Sequence, residues 1–146
     1  MELWGDPQVT ALIGGPFSPE AVRARLEAEI AQMQRRGIQY WPIFLLEGNR
    51  FVGCAGLRPY RFDDRNYELG FHLCRAFWQQ GFALEAAAAV IDHAFGSLNV
   101  PAVFAGHHPS NEASRRVLLK LGFLYTHDEL YAPTGLLHPS YLLARP

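Results

Sequence analysis

Two short segments hold residue types whose spacing can do chemistry. The first is Tyr67-Glu68-Leu69-Gly70-Phe71-His72-Leu73, followed by Trp78-Gln79-Gln80-Gly81-Phe82-Ala83-Leu84. An alternating strand ends, a loop crosses, and a helix starts at a glycine with small residues behind it. The unpaired N–H groups of such a helix start, together with the positive end of its dipole, suit a phosphate. Gly81 and Ala83 leave room for a pyrophosphate to approach the backbone; the same residues also read as an ordinary helix start packed with alanine. On the strand, Glu68 and His72 share the side opposite Tyr67 and Leu69. The second segment is Asn111-Glu112-Ala113-Ser114, with Lys120-Leu121-Gly122-Phe123 after it. Asn111 and Ser114 lie one helical turn apart, so both can project into one cleft. Alternatively, Asn111 caps the helix and Ser114 satisfies a local backbone group. Neither the three-glycine dinucleotide fingerprint nor the Gly-Lys-Ser/Thr phosphate loop occurs.

The surrounding pattern says which elements must position these residues. Asp6-Pro7 and Ser18-Pro19-Glu20 each read as a cap and a first helical turn. They open a short helix to about Leu12 and a longer one to about Arg36, stopped by Gly37, with Val22, Leu26, Ile30 and Met33 on one face. Gln39–Leu46 and Phe51–Leu57 read as a hairpin, Pro42 marking an edge or bulged position. A charged turn is expected over Arg61–Asn66 and a third strand over Tyr67–Leu73. A helix follows over Phe82–Phe95, then a short strand over Ala102–Ala105, a helix over Glu112–Leu121, and a closing strand pair over Phe123–Leu130 and Leu136–Leu143. Strands leading, with helices interleaved later, predict a mixed α/β (α+β) sheet.

Composition narrows the function. The chain has 146 residues, 13 basic and 14 acidic groups, a net charge of −1 and 49% apolar content. This length and the absence of repeats or linkers predict one domain over residues 1–146. A near-zero charge offers no basic field, so no nucleic-acid partner is expected. No apolar run is long enough to span a membrane and the start carries no signal pattern, so a cytoplasmic protein with no membrane partner is expected. Cys54 and Cys74 suit a reducing compartment and read as packing residues. No His/Cys spacing matches a metal pattern, so no metal is expected. His107-His108-Pro109 borders the candidate cleft, whereas His93 and His138 read as surface or satisfied loop residues.

Together the two segments resemble the GNAT superfamily of acyl-CoA-dependent N-acetyltransferases, with the nearest likeness to the branch holding the ribosomal-protein N-terminal acetyltransferases. The family's pyrophosphate loop, Arg/Gln-x-x-Gly-x-Gly/Ala, stands here as Trp78-Gln79-Gln80-Gly81-Phe82-Ala83, and Asn111-x-x-Ser114 with Lys120-Leu121-Gly122-Phe123 matches the following helix and strand. The resemblance implies a GNAT-like fold in which Tyr67–Leu73 splays from the parallel strand Ala102–Ala105, with Gly70 in a bulge that opens the gap. Acetyl-CoA is the implied co-substrate. Its pantetheine arm would pair with strand backbone near Phe71 and Leu73, its pyrophosphate would meet amides from Gln79, Gln80, Gly81, Phe82, Ala83 and Leu84, and Asn111 would bond the arm. Arg115 or Arg116 would reach the nucleotide phosphates. The acceptor would be a primary amine, on a small molecule or a peptide N-terminus, placed between the first two helices and the closing strands. His127-Asp128-Glu129 and the Tyr131–Gly135 loop would line that side, their acidic groups favouring a cationic amine or staying solvated. Glu68, directly or through water, is the first candidate base and His72 the second. Many family members carry a Tyr acid where this chain has Leu118, so Ser114 is the candidate acid, with Tyr125 and Tyr131 in neighbouring segments.

Family members usually begin with a strand ahead of the first helix, and here that strand is missing. An alternative reading is therefore a non-catalytic acyl-CoA-binding module acting as a sensor or subunit; a third is an unrelated α/β ligand-binding domain. An uncovered sheet edge invites pairing, which predicts a homodimer. Light scattering on dilution through the micromolar range checks this, with a fall from dimer to monomer mass as the expected outcome.

Overall fold

A computed structural model describes residues 2–61 and 63–146; Met1 and Phe62 lie outside them. The elements are α1 (Pro7–Thr10), α2 (Pro19–Arg36), β1 (Tyr40–Phe44), β2 (Phe51–Tyr60), β3 (Asp63–Leu73), a 3-10 turn (Arg75–Phe77), α3 (Phe82–Gly96), β4 (Ala102–Gly106), α4 (Glu112–Lys120), β5 (Leu124–Tyr131) and β6 (Leu136–Ala144). Six strands form one mixed sheet in the order β1-β2-β3-β4-β6-β5. Only β3 and β4 run parallel; the other neighbours are antiparallel. Among the described residues no strand precedes α1, and no helix is long and apolar enough to cross a membrane.

Local chemistry explains the helix boundaries. Asp6 Oδ1 accepts from Gln8 N at 2.8 Å ahead of Pro7, so α1 starts where a cap and a proline coincide. It ends at Thr10, two residues before the expected Leu12. Ser18 Oγ accepts from Ala21 N at 3.1 Å, and α2 stops where Gly37 adopts φ 69° and returns its N–H to Met33. The face bearing Val22, Leu26, Ile30 and Met33 is not the buried one. Leu26 and Ile30 are 54% and 48% exposed, and the buried residue of α2 is Glu29. The reason is polar: Glu29 accepts the Tyr40 amide at 2.7 Å and Arg25 Nε at 2.8 Å. Pinned through this carboxylate, α2 turns its apolar stripe outward.

Against one sheet face pack α3 and α4. Ala87 and Ala94 have no exposed surface and let α3 sit close to Ala55, Leu57, Leu69 and Val103, while Leu118 and Phe123 fill the α4 side. Burial of each such large apolar side chain contributes about 1.5–3 kcal/mol. The opposite face carries a second cluster of Leu3, Tyr40, Val52, Cys54, Cys74 and Phe77, in which both cysteines are free thiols used in packing. Pro42 lies on the edge strand β1, whose register shifts between Ile43 and Phe44. The charged turn expected over Arg61–Asn66 is shorter: Tyr60 pairs with Asp63 and the β2–β3 register slips next to Pro59, so the rest of that charged stretch belongs to an irregular strand. The bulge expected at Gly70 is absent, because Gly56 and Gly70 pair in unbroken register. Gly70 instead makes room for Tyr40, whose hydroxyl an added Cβ would overlap.

Glu29→Ala strips an acceptor from the Tyr40 amide and a partner from Arg25. The expected loss is roughly 2–3 kcal/mol, read as a lower urea midpoint, with faster amide exchange in α2. Glu29→Gln keeps an acceptor oxygen and should lose less.

Candidate functional site

The site begins where two strands part. The β3–β4 ladder holds for three residue pairs, Tyr67–Val103, Glu68–Phe104 and Leu69–Ala105, and then stops. Beyond it β3 still pairs with β2 as far as Leu73, and Gly106 of β4 still pairs with Ser140 of β6. The edge of Gly70–Leu73, including Phe71 and Leu73, therefore faces a gap, and its backbone groups on that side have no strand to bond. A cleft of about 960 Å³ runs through the gap, large for a small-molecule site.

The α3 N-terminus closes one end. Gly81 caps it at φ 85° with no side-chain bond, so the first-turn amides at Phe82, Ala83 and Leu84 stay free. Gln79 before it also has a positive φ, 60°. The loop is fixed by Trp78, whose indole Nε1 donates to Leu73 O at 2.8 Å. Gln79, Gly81, Phe82, Ala83 and Leu84 all line the cleft. Gln80 does not: its Nε2 folds back onto Ala76 O at 2.8 Å, so its side chain is taken up locally. On α4, Asn111 and Ser114 both face the cleft, and Asn111 Oδ1 also caps the helix by accepting from Ser114 N at 3.1 Å. The two readings of Asn111 are thus compatible. Arg115 is corrected: it pairs with Glu112 at 2.9 Å on the exposed side, and Arg116 and Lys120 line the cleft in its place.

On the other sheet face the cleft passes under α1 and the segment before α2. Glu68 lies there, ion-paired through Oε1 to Arg58 Nη2 at 2.9 Å, its cross-strand partner in the ladder. His72 is on the same side but faces a different environment. Its Nδ1 accepts from Trp4 Nε1 at 3.0 Å, and burial, reinforced by Arg25 and Arg58, pushes its pKa down to about 3. A ring in that state is neutral, and its remaining nitrogen carries the proton. It has no free lone pair to take a proton, which argues against His72 as base. Tyr40 lines the same end, and burial raises its phenol to about 12, so it stays a neutral hydroxyl.

Three residues at this end escaped sequence reasoning. Arg58 lay beyond the expected end of β2, and extending the strand's alternation two residues would have set it opposite Glu68. Tyr60 stacks on Phe104 with centroids 4.2 Å apart and donates to Glu129 Oε1 at 3.1 Å, crossing β3, β4 and β6 to do so. His138 is no surface loop residue: it is buried in β6, bonded to Thr134 Oγ1 at 2.8 Å, 5.4 Å from the His108 ring. Burial, then His108 and His107, lower its pKa. His107 is buried against Tyr141, and His93 packs edge-on against Trp41. Glu129 is not a solvated acid. Burial works against its ionisation, yet bonds from Arg61, Tyr60 and His127 outweigh this and hold its pKa below the usual value. Tyr125 is tied to Asp128 outside the cleft, while Tyr131 lines it beside His138. Among the described residues no group of three or more His, Cys, Asp or Glu side chains could hold a metal ion.

Comparison with known proteins adds four findings. A family model described as an acetyltransferase (GNAT) domain matches residues 1–124. YoaA of Bacillus subtilis, described as an uncharacterized N-acetyltransferase, is 32% identical over 90 residues, covering 62% of this chain and 50% of that protein. The chain therefore spans half the length of that relative. An acetyltransferase from Agrobacterium tumefaciens superposes with a TM-score of 0.83 at 23% identity, over 97% of this chain and 81% of its own. A ribosomal L7/L12 alpha-N-protein acetyltransferase solved in complex with coenzyme A superposes at 0.74 with 19% identity, over 88% and 73% of the two chains. At these identities the structures show the shared fold.

A pH dependence follows from His72. An unfolded histidine takes a proton below about pH 6.5, whereas the folded ring does so only near pH 3. Between these values the unfolded chain binds more protons, so stability is full at neutral pH and falls on acidification, by up to about 1.4 kcal/mol per pH unit. Denaturation midpoints at pH 7, 5 and 4 should show this slope. His72→Gln should flatten it, leaving the smaller share of His138, which has the same sign.

Proposed function

The chain belongs to the GNAT acetyltransferase family, and we propose that it transfers an acetyl group from acetyl-CoA to a primary amine, on a small molecule or a peptide N-terminus, by direct attack in a ternary complex. One observation carries this reading: the parallel ladder ends after three pairs, beside a helix whose first amides are uncapped. An open strand edge suits the amide groups of a pantetheine arm, and free first-turn amides suit a pyrophosphate. Arg116 and Lys120 supply cations along the same wall.

Each chemical requirement then has a residue. The amine must lose a proton as its nitrogen bonds the acetyl carbon. Glu68 is the base; Arg58, bonded to it at 2.9 Å, orients its carboxylate. A peptide α-amine, with a pKa of about 7.7–8.0, is neutral and ready to attack at neutral pH far more often than a lysine near 10.4. Backbone N–H groups of Phe71–Leu73 polarise the thioester carbonyl. As the C–S bond breaks, Ser114 on α4 donates toward the departing sulfur, since Leu118 is a buried core residue without a proton to give. The Leu118 position is also what favours the alternative, a module that holds acyl-CoA without transfer. One domain in a cytoplasmic setting completes the proposal.

Calorimetry with acetyl-CoA and thiol release with an amine panel test both readings. Gly81→Arg should abolish acetyl-CoA binding, because its side chain enters the phosphate end. Glu68→Gln should lower kcat by about 10²–10⁴-fold at nearly constant acetyl-CoA affinity, and Ser114→Ala by less. Acetyl-CoA binding without thiol release from any amine would select the binding module.

A further inference from the structure

At the acceptor end of the cleft, two arginines are held in place with most of their hydrogen-bond donors unused. Arg25 lies with its guanidinium carbon 4.9 Å from the centroids of both Trp4 and Tyr40. Its Nε is bound by Glu29, itself anchored on the Tyr40 amide. Among the described residues neither terminal nitrogen of Arg25 has a protein partner. Arg58 gives only Nη2, to Glu68. Both line the cleft with Tyr40, whose phenol senses both charges.

The acids at this end are already matched. Glu68 has Arg58, and Glu129 has Arg61 and the Tyr60 hydroxyl. Among the described residues at this end no carboxylate is left over for a second ammonium group, so a polyamine finds no counter-ion among them. Free donors are what remain, and a guanidinium fork fits a planar carboxylate through paired bonds.

We propose that the acceptor is an amino-carboxylate: a free amino acid, held by its carboxylate between Arg25 and Arg58, with its α-amine delivered to Glu68. This narrows the acetyl-transfer reading above and rests on it. Because Arg58 bonds Glu68, a carboxylate on its free edge brings an amine two bonds away to the base. The two cations also disfavour the ammonium form of that amine. In the transfer the C–N bond forms, the C–S bond breaks, one amine proton passes to Glu68, and the thiolate is protonated. The walls contributed by Leu12, Ile13, Phe17 and Tyr131 suit an apolar or aromatic side chain.

The test uses matched sets: each apolar or aromatic amino acid, its carboxamide, the amine lacking the carboxylate, and a dipeptide beginning with the same residue. Thiol release gives kcat/KM, and calorimetry on the CoA-saturated protein gives affinity. At least one free acid is expected to exceed its amide and amine by about tenfold or more, the scale of a charged bond to a carboxylate. Within each variant the acid-to-amide ratio should approach unity for Arg25→Gln. Arg25→Lys, which keeps the Glu29 pair and the charge but loses the fork, should give an intermediate ratio. Amides, simple amines or dipeptides matching or exceeding every acid would overturn the proposal, as would an unchanged ratio in a folded Arg25→Gln protein. Acids that bind in preference to amides without any thiol release would sink the transfer reading and leave the carboxylate site standing.

Discussion

A parallel β-ladder only three residue pairs long is the constraint on which the rest of this structure depends. Two half-sheets, β1-β2-β3 and β4-β6-β5, are joined by backbone bonds there and, among the described residues, at no other place. Such a short seam needs help on both faces. On one, α3 lies across β2 and β3 through alanines that have no exposed surface, and α4 adds Leu118. On the other, Tyr60 and Arg61 reach from the end of β2 to Glu129 of β5. The gap can stay open because its margins are held from elsewhere.

That arrangement sorts the polar groups. The α3 end of the cleft offers backbone amides and the cations Arg116 and Lys120. The other end is built from arginine–carboxylate pairs set among tyrosines. His72, at the junction, is neutral and tied to Trp4, whereas the Glu68 carboxylate is partly exposed and paired with Arg58. The sheet thus has a hydrogen-bonding edge at one end of the cleft and a charge-matched floor at the other.

Much of this was legible in the chain. Caps with prolines and glycines placed α1, α2 and α3, and alternation from Tyr67 to Leu73 placed β3, because these signals are local. The motif around Gly81 located the free amides for the same reason. What failed was decided by distant partners. The face of α2 was set by Glu29 meeting the Tyr40 amide, and no periodicity records that. Arg115 and Arg116 differ only in which side of a helix each occupies. Gly70 was read as a bulge, whereas it is a vacancy made for Tyr40, a residue thirty positions away. Glu129 looked like a solvated acid because its counter-ion comes from the opposite half-sheet.

The Tyr60–Glu129 contact has a further meaning. The matched family region stops at residue 124, short of most of the terminal hairpin carrying Glu129, Tyr131 and His138. Yet through one carboxylate that hairpin grips the far end of β2, next to the strand pair bearing Arg58 and Glu68. The latch across the sheet thus couples the last hairpin to the strands on the far side of the seam.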